Sequence, residues 1–185
     1  MRENEIKLPL ARAAVGRRLL AAAGFRLHRP RLLESNTLFD TSSLSLKASG
    51  CMLRVRAVGG ECILTFKGME RSGRHKNREE IETSAGDAGR LSEIVQRMGF
   101  APVFRYQKYR TEYALAGGKA MLDETPIGVF LELEGPARWV NRMARLLGFG
   151  PSDYITASYG RLYLDYCADR GIAAGDMVFQ RKPRA

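Results

Sequence analysis

Cysteine is scarce in this chain: Cys51, Cys62 and Cys167 stand far apart among 185 residues. An odd count without a CxxC spacing argues against a disulfide framework and against a zinc site, and a reducing cytosol is the expected compartment. Histidine is scarcer still, and neither His28 nor His75 has a serine or cysteine partner in an arrangement that suits nucleophilic catalysis. No apolar run approaches the ~18 residues of a membrane span. Charged residues begin at once, so no signal peptide is expected. There is no GxxxxGK loop, which leaves a P-loop mechanism without support. Aromatics make up only 9%, and most fall at core parity, which disfavours an RNA reader built on stacking. Acid is outnumbered by base: the net charge is +10, so an anionic partner is expected, be it nucleic acid, a membrane surface or a phosphorylated small molecule.

What is present fits one globular domain, with 45% hydrophobic and 27% charged residues. Short alternating runs predict eight strands, at 2–8, 35–40, 51–58, 61–67, 78–84, 104–115, 119–124 and 128–134. Gly59-Gly60 and Gly117-Gly118 read as hairpin turns. Helical patterns at 10–23, 87–98 and 137–147 each end on Gly-Phe, at Gly24-Phe25, Gly99-Phe100 and Gly148-Phe149, where glycine supplies a left-handed cap and phenylalanine packs back. A fourth helix is expected over 157–169. The fold class is therefore α+β, with enough antiparallel strands to close a small barrel. Residues 1–170 read as the domain and 171–185 as a mobile basic tail.

Alternation sorts the strands into faces, and one face is repeatedly charged. It carries Glu3, Glu5 and Lys7; Arg54 and Arg56; Thr65 and Lys67; Arg78, Glu80 and Glu82; Lys108, Arg110 and Glu112; and Glu132 and Glu134. For a single strand, a solvated face explains such a pattern. Like charges at i, i+2 lie roughly 7 Å apart, and their recurrence on six strands points to something of opposite sign between them. Glu3, Glu5, Glu132 and Glu134, with Asp123 nearby, offer only oxygen, which suits Mg²⁺ or Mn²⁺ rather than zinc or copper. Lys7, Arg54, Arg56, Lys67, Lys108 and Arg110 suit phosphate oxygens. A cavity with both sets could hold a metal bridging a polyphosphate.

The motifs carry a family likeness. Glu3-Asn4-Glu5-Ile6-Lys7 is followed in order by Asn36-Thr37-Leu38-Phe39-Asp40-Thr41, Leu53-Arg54-Val55-Arg56, Leu64-Thr65-Phe66-Lys67-Gly68, Arg78-Glu79-Glu80-Ile81-Glu82, Lys108-Tyr109-Arg110, Leu122-Asp123-Glu124 and Phe130-Leu131-Glu132-Leu133-Glu134. The chain thereby resembles the CYTH superfamily of triphosphate tunnel metalloenzymes, over residues 2 to about 160. The resemblance implies an eight-stranded antiparallel β-barrel with flanking helices, whose tunnel holds a triphosphate. It implies Glu3, Glu5, Asp123, Glu132 and Glu134 as metal ligands. Lys7, Arg54, Arg56, Lys67, Lys108 and Arg110 would hold phosphate, and Glu80 and Glu82 a second metal, an activated water or the basic residues; Lys7, Arg56, Glu80 and Glu82 are the expected catalytic set. Family activities include inorganic, thiamine and RNA triphosphatases and class IV adenylate cyclases.

A metal-dependent triphosphatase is preferred, because a cyclase also needs an adenine pocket and no adenine-specific constellation stands out. The adenylate cyclase stays open, as does a non-catalytic polyphosphate- or nucleic-acid-binding module. Arg12, Arg17, Arg18, Arg26, Arg29 and Arg31 form a basic stretch, read as a solvated helix face and the loop after it. Tyr159, Tyr163 and Trp139 read as packing residues, although Tyr159 or Arg161 stands where some triphosphatases use a late side chain near the leaving group. The expected partner is a small triphosphate; a membrane is not expected, nucleic acid is disfavoured, and a homodimer is left open.

Overall fold

The computed structural model describes residues 2–69 and 76–180, with side chains at 4–69 and 79–180. The strands are β1 (Arg2–Leu10), β2 (Arg26–Asp40), β3 (Met52–Val58), β4 (Glu61–Lys67), β5 (Lys76–Ala85), β6 (Ala101–Leu115), β7 (Gly118–Thr125) and β8 (Gly128–Gly135). The helices are α1 (Ala13–Ala22), a short α2 (Ser45–Ala48), α3 (Ala88–Arg97), α4 (Ala137–Leu146) and α5 (Tyr159–Arg170), with a 3₁₀ turn at Pro151–Asp153. The eight strands pair antiparallel in the order β1-β5-β4-β3-β2-β6-β7-β8, and β1 touches both β5 and β8, so the sheet closes on itself as a tunnel-like barrel. The expected α+β barrel with flanking helices is what forms.

Two seams are short. β1 meets β5 only over Arg2–Glu5. Beyond Glu5, that edge of β1 pairs with Ile155: Lys7 N donates to Ile155 O (2.8 Å) and Ile155 N to Lys7 O (2.9 Å). β6 meets β7 only over Tyr109–Leu115. Ahead of it, Met177 lies on β6, with Gln107 N donating to Met177 O and Met177 N to Arg105 O, both at 2.9 Å. The segment after α5, expected to be mobile, is thus pinned to the barrel as far as Phe179, whose N donates to Gln107 Oε1. An unpaired strand edge needs hydrogen-bond partners, and this stretch supplies them. The rest of the tail, 181–185, lies outside the described residues.

The barrel is apolar outside and charged inside. Ile6, Leu8, Leu122, Leu131 and Leu133 are fully buried between the sheet and α1 and α4, joined by Leu20, Val140, Met143 and Ala144. A second cluster packs Phe39, Val55 and Cys62 under α3. Residues of alternate parity necessarily face the lumen. The three Gly-Phe helix stops form as expected; in the first, Phe25 N donates to Leu20 O at 3.0 Å with Gly24 at φ +81°.

β2 is much longer than expected and begins at Arg26, so Arg26, Arg29 and Arg31 lie on a strand rather than in a loop. Pro30 obscured this. It sits where the β2–β6 register shifts, between Arg29 and Leu32, an irregularity that tolerates a residue without an N–H.

Trp139 seals one end of the barrel: its indole N–H donates to Ala116 O at 2.9 Å, and Phe25 meets its ring edge-on. A Cβ at Gly118 would come within 2.6 Å of Glu134 O and 2.7 Å of the Trp139 ring. Gly118→Ala is therefore expected to destabilise the fold by about 1–3 kcal/mol, read from the denaturant midpoint.

Candidate functional site: a charged cavity inside the barrel

A cavity of about 550 Å³ occupies the lumen. Its wall carries all six basic residues expected from the sequence, namely Lys7 from β1, Arg54 and Arg56 from β3, Lys67 from β4, and Lys108 and Arg110 from β6. Of the acidic set, Glu5, Glu80, Glu82, Glu132 and Glu134 also line it. These residues come from six strands and meet here because each sits at inward parity on its own strand.

The charges are cross-linked. Lys7 Nζ lies 3.4 Å from Glu5 Oε1 and 3.2 Å from Glu132 Oε1. Burial would depress the Lys7 ammonium, but the two carboxylates more than offset this and raise its pKa. Arg54 donates through Nη2 to Thr65 Oγ1 (3.1 Å) and Glu82 Oε1 (3.3 Å), and through Nη1 to Tyr106 Oη (3.4 Å). Its Nε is buried with no acceptor among the described residues. Lys67 Nζ meets Glu80 Oε2 at 2.6 Å.

Two cations are held against their preference. Burial and the adjacent Arg54 push Arg56 below the ordinary guanidinium value, and Glu34 and Tyr106 only partly compensate. Burial and Arg54 likewise depress Lys67, with Glu80 and Glu5 opposing. A polyanion among these groups would relieve both desolvation and like-charge repulsion.

Asp123 stands apart from the other carboxylates. It is fully buried, does not line the cavity, and has both oxygens engaged. Arg110 binds it bidentately at 2.7 and 2.6 Å, Lys108 Nζ donates to it at 2.9 Å, and the Tyr159 hydroxyl donates at 2.7 Å. Arg110 also pairs with Glu132. Oδ2 takes three of these contacts and Oδ1 one, an arrangement that orients two cations. The side chains of Glu3 and Arg78, and the whole of His75, lie outside the described residues.

Several site residues were not legible in the sequence. Glu34 is buried, 3.5 Å from Lys108 Nζ and 3.7 Å from Arg56 Nε, and Asn36 Oδ1 accepts from Arg56 Nε at 3.1 Å. Starting the strand at residue 35 hid Glu34; one residue of extension places Glu34, Asn36 and Leu38 on one face. Tyr106 joins the wall from β6. Tyr159, from the start of α5, lines the cavity with Lys7 Nζ and Lys108 Nζ 5.2 and 5.1 Å from its ring centroid. No local signal marks a helical tyrosine as a lumen residue. His28, expected in a loop, lies on β2 and lines the cavity.

Burial would raise the Glu34 carboxyl, but Lys108, Arg110, Arg56 and Arg54 hold it at about 2 against an ordinary 4.5. The folded value is the lower, so the unfolded chain binds more protons in acid. The stabilisation is complete above pH 4.5 and is lost as pH falls toward 2. Glu34→Gln is expected to remove about 3 kcal/mol of the acid-sensitive stability. Urea midpoints measured from pH 6 to pH 2.5 check this: the variant's curve is flatter, and an unchanged slope refutes the assignment.

Among the described residues, no helix is long and apolar enough to cross a membrane. The "Putative adenylate cyclase MJ0240" of Methanocaldococcus jannaschii is 28% identical over 129 residues, covering 69% of this chain and 73% of that protein. The fold is shared with a solved Vibrio parahaemolyticus protein described as a putative adenylate cyclase, at a TM-score of 0.77 and 18% identity, covering 86% of this chain and 96% of that one. It is also shared with the Hippeastrum protein HpAC1, named a putative adenylyl cyclase and described as having a dominant triphosphatase activity, at a TM-score of 0.64 and 17% identity, covering 94% and 97%. The CYTH domain profile matches residues 1–142, and with the charged barrel this establishes that the chain belongs to the CYTH family.

Proposed function

We propose that the chain is a metal-dependent triphosphatase that hydrolyses inorganic triphosphate or an organic or nucleoside triphosphate inside the barrel. The observation that carries this is the convergence of Lys7, Arg54, Arg56, Lys67, Lys108 and Arg110 on one cavity. Phosphoryl transfer is catalysed mainly by positioning and charge neutralisation, and these cations supply both.

The donor set fits Mg²⁺ or Mn²⁺. Glu5 and Glu134 are directly opposed across the β1–β8 pair, and both line the cavity. Opposed carboxylates repel unless a cation lies between them, and an all-oxygen pair suits a hard ion. Glu3 follows by strand parity, and Glu132 stands beside them on β8. Among the described residues no group of three His, Cys, Asp or Glu side chains converges. Glu3, Glu5, Glu132 and Glu134 would hold the ion, with room left for oxygen donors from outside the protein, as Mg²⁺ commonly prefers. When bound, the ion neutralises charge on the phosphate oxygens.

On this reading Lys7 and Arg56 hold the transferred phosphoryl group, and Arg54, Arg110, Lys67 and Lys108 hold the rest of the chain. Burial raises Glu82, but Thr65, Arg54 and Arg56 more than offset it, so the carboxylate stays ionised. Such a group orients the attacking water better than it deprotonates it. Glu80, bound to Lys67, holds that ammonium in place.

A second reading, adenylate cyclase, draws on the cavity volume, which falls in the range of pockets that hold drug-sized ligands, and on the name of the archaeal relative. In it a ribose hydroxyl attacks the α-phosphorus and pyrophosphate leaves. The three cysteines are free, which suits a reducing cytosol.

Product analysis by ion chromatography tests the proposal, with ATP and inorganic triphosphate supplied separately in Mg²⁺ or Mn²⁺. Metal-dependent phosphate release, abolished by a chelator, is expected. Cyclic AMP with pyrophosphate would replace the hydrolase by the cyclase, and no turnover of either compound would favour a binding role.

A further inference from the structure

The cavity does not account for the charge of the protein. Eight cations line it against six carboxylates, and Glu34 and Asp123 are buried beside them, so the interior is balanced. The excess positive charge of the described residues therefore lies outside the cavity.

Elsewhere on the described exterior most arginines have partners; Arg90 has no ion pair, and Arg170 lies over the Tyr166 ring. Arg31 pairs with Glu124 at 2.7 Å, Arg161 with Asp165 at 2.9 Å, Arg97 with Glu93 at 3.3 Å and Arg105 with Asp176 at 3.6 Å. The helices α1 and α4 differ. Arg12, Arg17, Arg18, Arg138, Arg142 and Arg145 are all exposed, and none makes an ion pair among the described residues. No acidic residue occurs from Ile6 to Leu33 or from Gly135 to Ser152. Both helices pack on the same core over β1, β7 and β8, and the Phe25–Trp139 contact joins the end of α1 to the start of α4. Arg26, exposed beside Phe25, extends the face. On α4 the arginines recur at i, i+4 and i+7, one side of the helix.

We propose that the α1–α4 face docks the phosphate backbone of duplex nucleic acid without reading its sequence. The guanidinium fork matches phosphate oxygens better than ammonium does, and the charged groups of this face are arginines. The exposed large hydrophobic residues include no aromatic ring, so nothing here stacks on unpaired bases, as single-strand binding requires. Backbone contacts alone are the mode of non-specific duplex binding. The sequence disfavoured nucleic acid because aromatics are few, but this mode needs none. The exposed apolar residues nearby, Leu27 and Leu146, are isolated, which argues against insertion into a membrane surface.

The test is fluorescence anisotropy of the whole protein on a labelled duplex of about 30 bp. With six contacts, affinity is expected to fall about 10³-fold between 50 and 200 mM salt. Arg138→Glu/Arg142→Glu/Arg145→Glu is expected to lower the salt slope by about 3, and Arg17→Glu/Arg18→Glu by about 2, with hydrolysis of inorganic triphosphate unchanged in each. Inorganic triphosphate, which on the proposed function binds in the cavity, is expected not to displace the duplex. The proposal is overturned by absence of binding at 50 mM salt, by unchanged slopes in both variants, or by displacement with triphosphate. It is also overturned if phosphatidylserine vesicles bind and the duplex does not.

Discussion

Arg56→Ala is expected to lower turnover of the triphosphate by about 10²–10³-fold, the usual cost of removing one preorganised donor to a developing charge. The chain is expected to stay folded. Arg56 lies between Arg54 and Arg110, and burial further disfavours its charge. Its removal relieves that crowding while losing one hydrogen bond to Asn36 and the 3.7 Å ion pair with Glu34, which keeps Lys108 as counter-charge, so stability is expected to move by no more than about 1 kcal/mol. Groups that bind a polyanion repel one another in its absence, which is the usual form of a trade between activity and stability. Steady-state kinetics and a urea melt on the same preparation check both halves. Full activity in a folded Arg56→Ala protein would remove the cation-lined cavity as the reaction site.

Asp123→Asn is expected to have the opposite profile, a loss of about 3–5 kcal/mol in stability. Asp123 is fully buried and receives Lys108, Arg110 and the Tyr159 hydroxyl. An amide at that position keeps the shape but leaves two buried cations with only Glu132 and Glu34 as counter-charges. The variant also separates two roles for this residue. As a positioning group it affects the denaturant midpoint and the KM for triphosphate, while calorimetric Mn²⁺ affinity of the folded protein stays within about twofold, since 1.4 kcal/mol already corresponds to tenfold. A large loss of metal affinity at unchanged stability would restore the metal-ligand role expected from the sequence.

Much of this arrangement was legible in the sequence because a β-strand has a rigid period of two. Arg54 with Arg56, Lys108 with Arg110, and Glu132 with Glu134 had to share a face wherever their strands went, and repeated like charges on one face called for an opposite charge between them. Strand count, hairpin glycines and Gly-Phe helix stops are local signals, and they hold in the structure. The sequence alone thus determined the charged inner face, its oxygen and nitrogen donors, and the barrel that folds around them.

Tertiary structure decided what depends on distance through space. Pairing β2 along β6 brought Glu34 and Asn36 against Arg56, although Pro30 and the register shifts beside it concealed the start of that strand. Packing of α5 placed Tyr159 over the lumen, where it binds an aspartate 36 residues away. The contacts of Asp123 with Lys108 and Arg110 on the neighbouring strand likewise follow from register and side-chain reach. The excess positive charge shows the same limit: composition gives the sum, whereas the balanced interior and the unmatched arginines of α1 and α4 emerge only when the barrel closes and sorts charges into inside and outside.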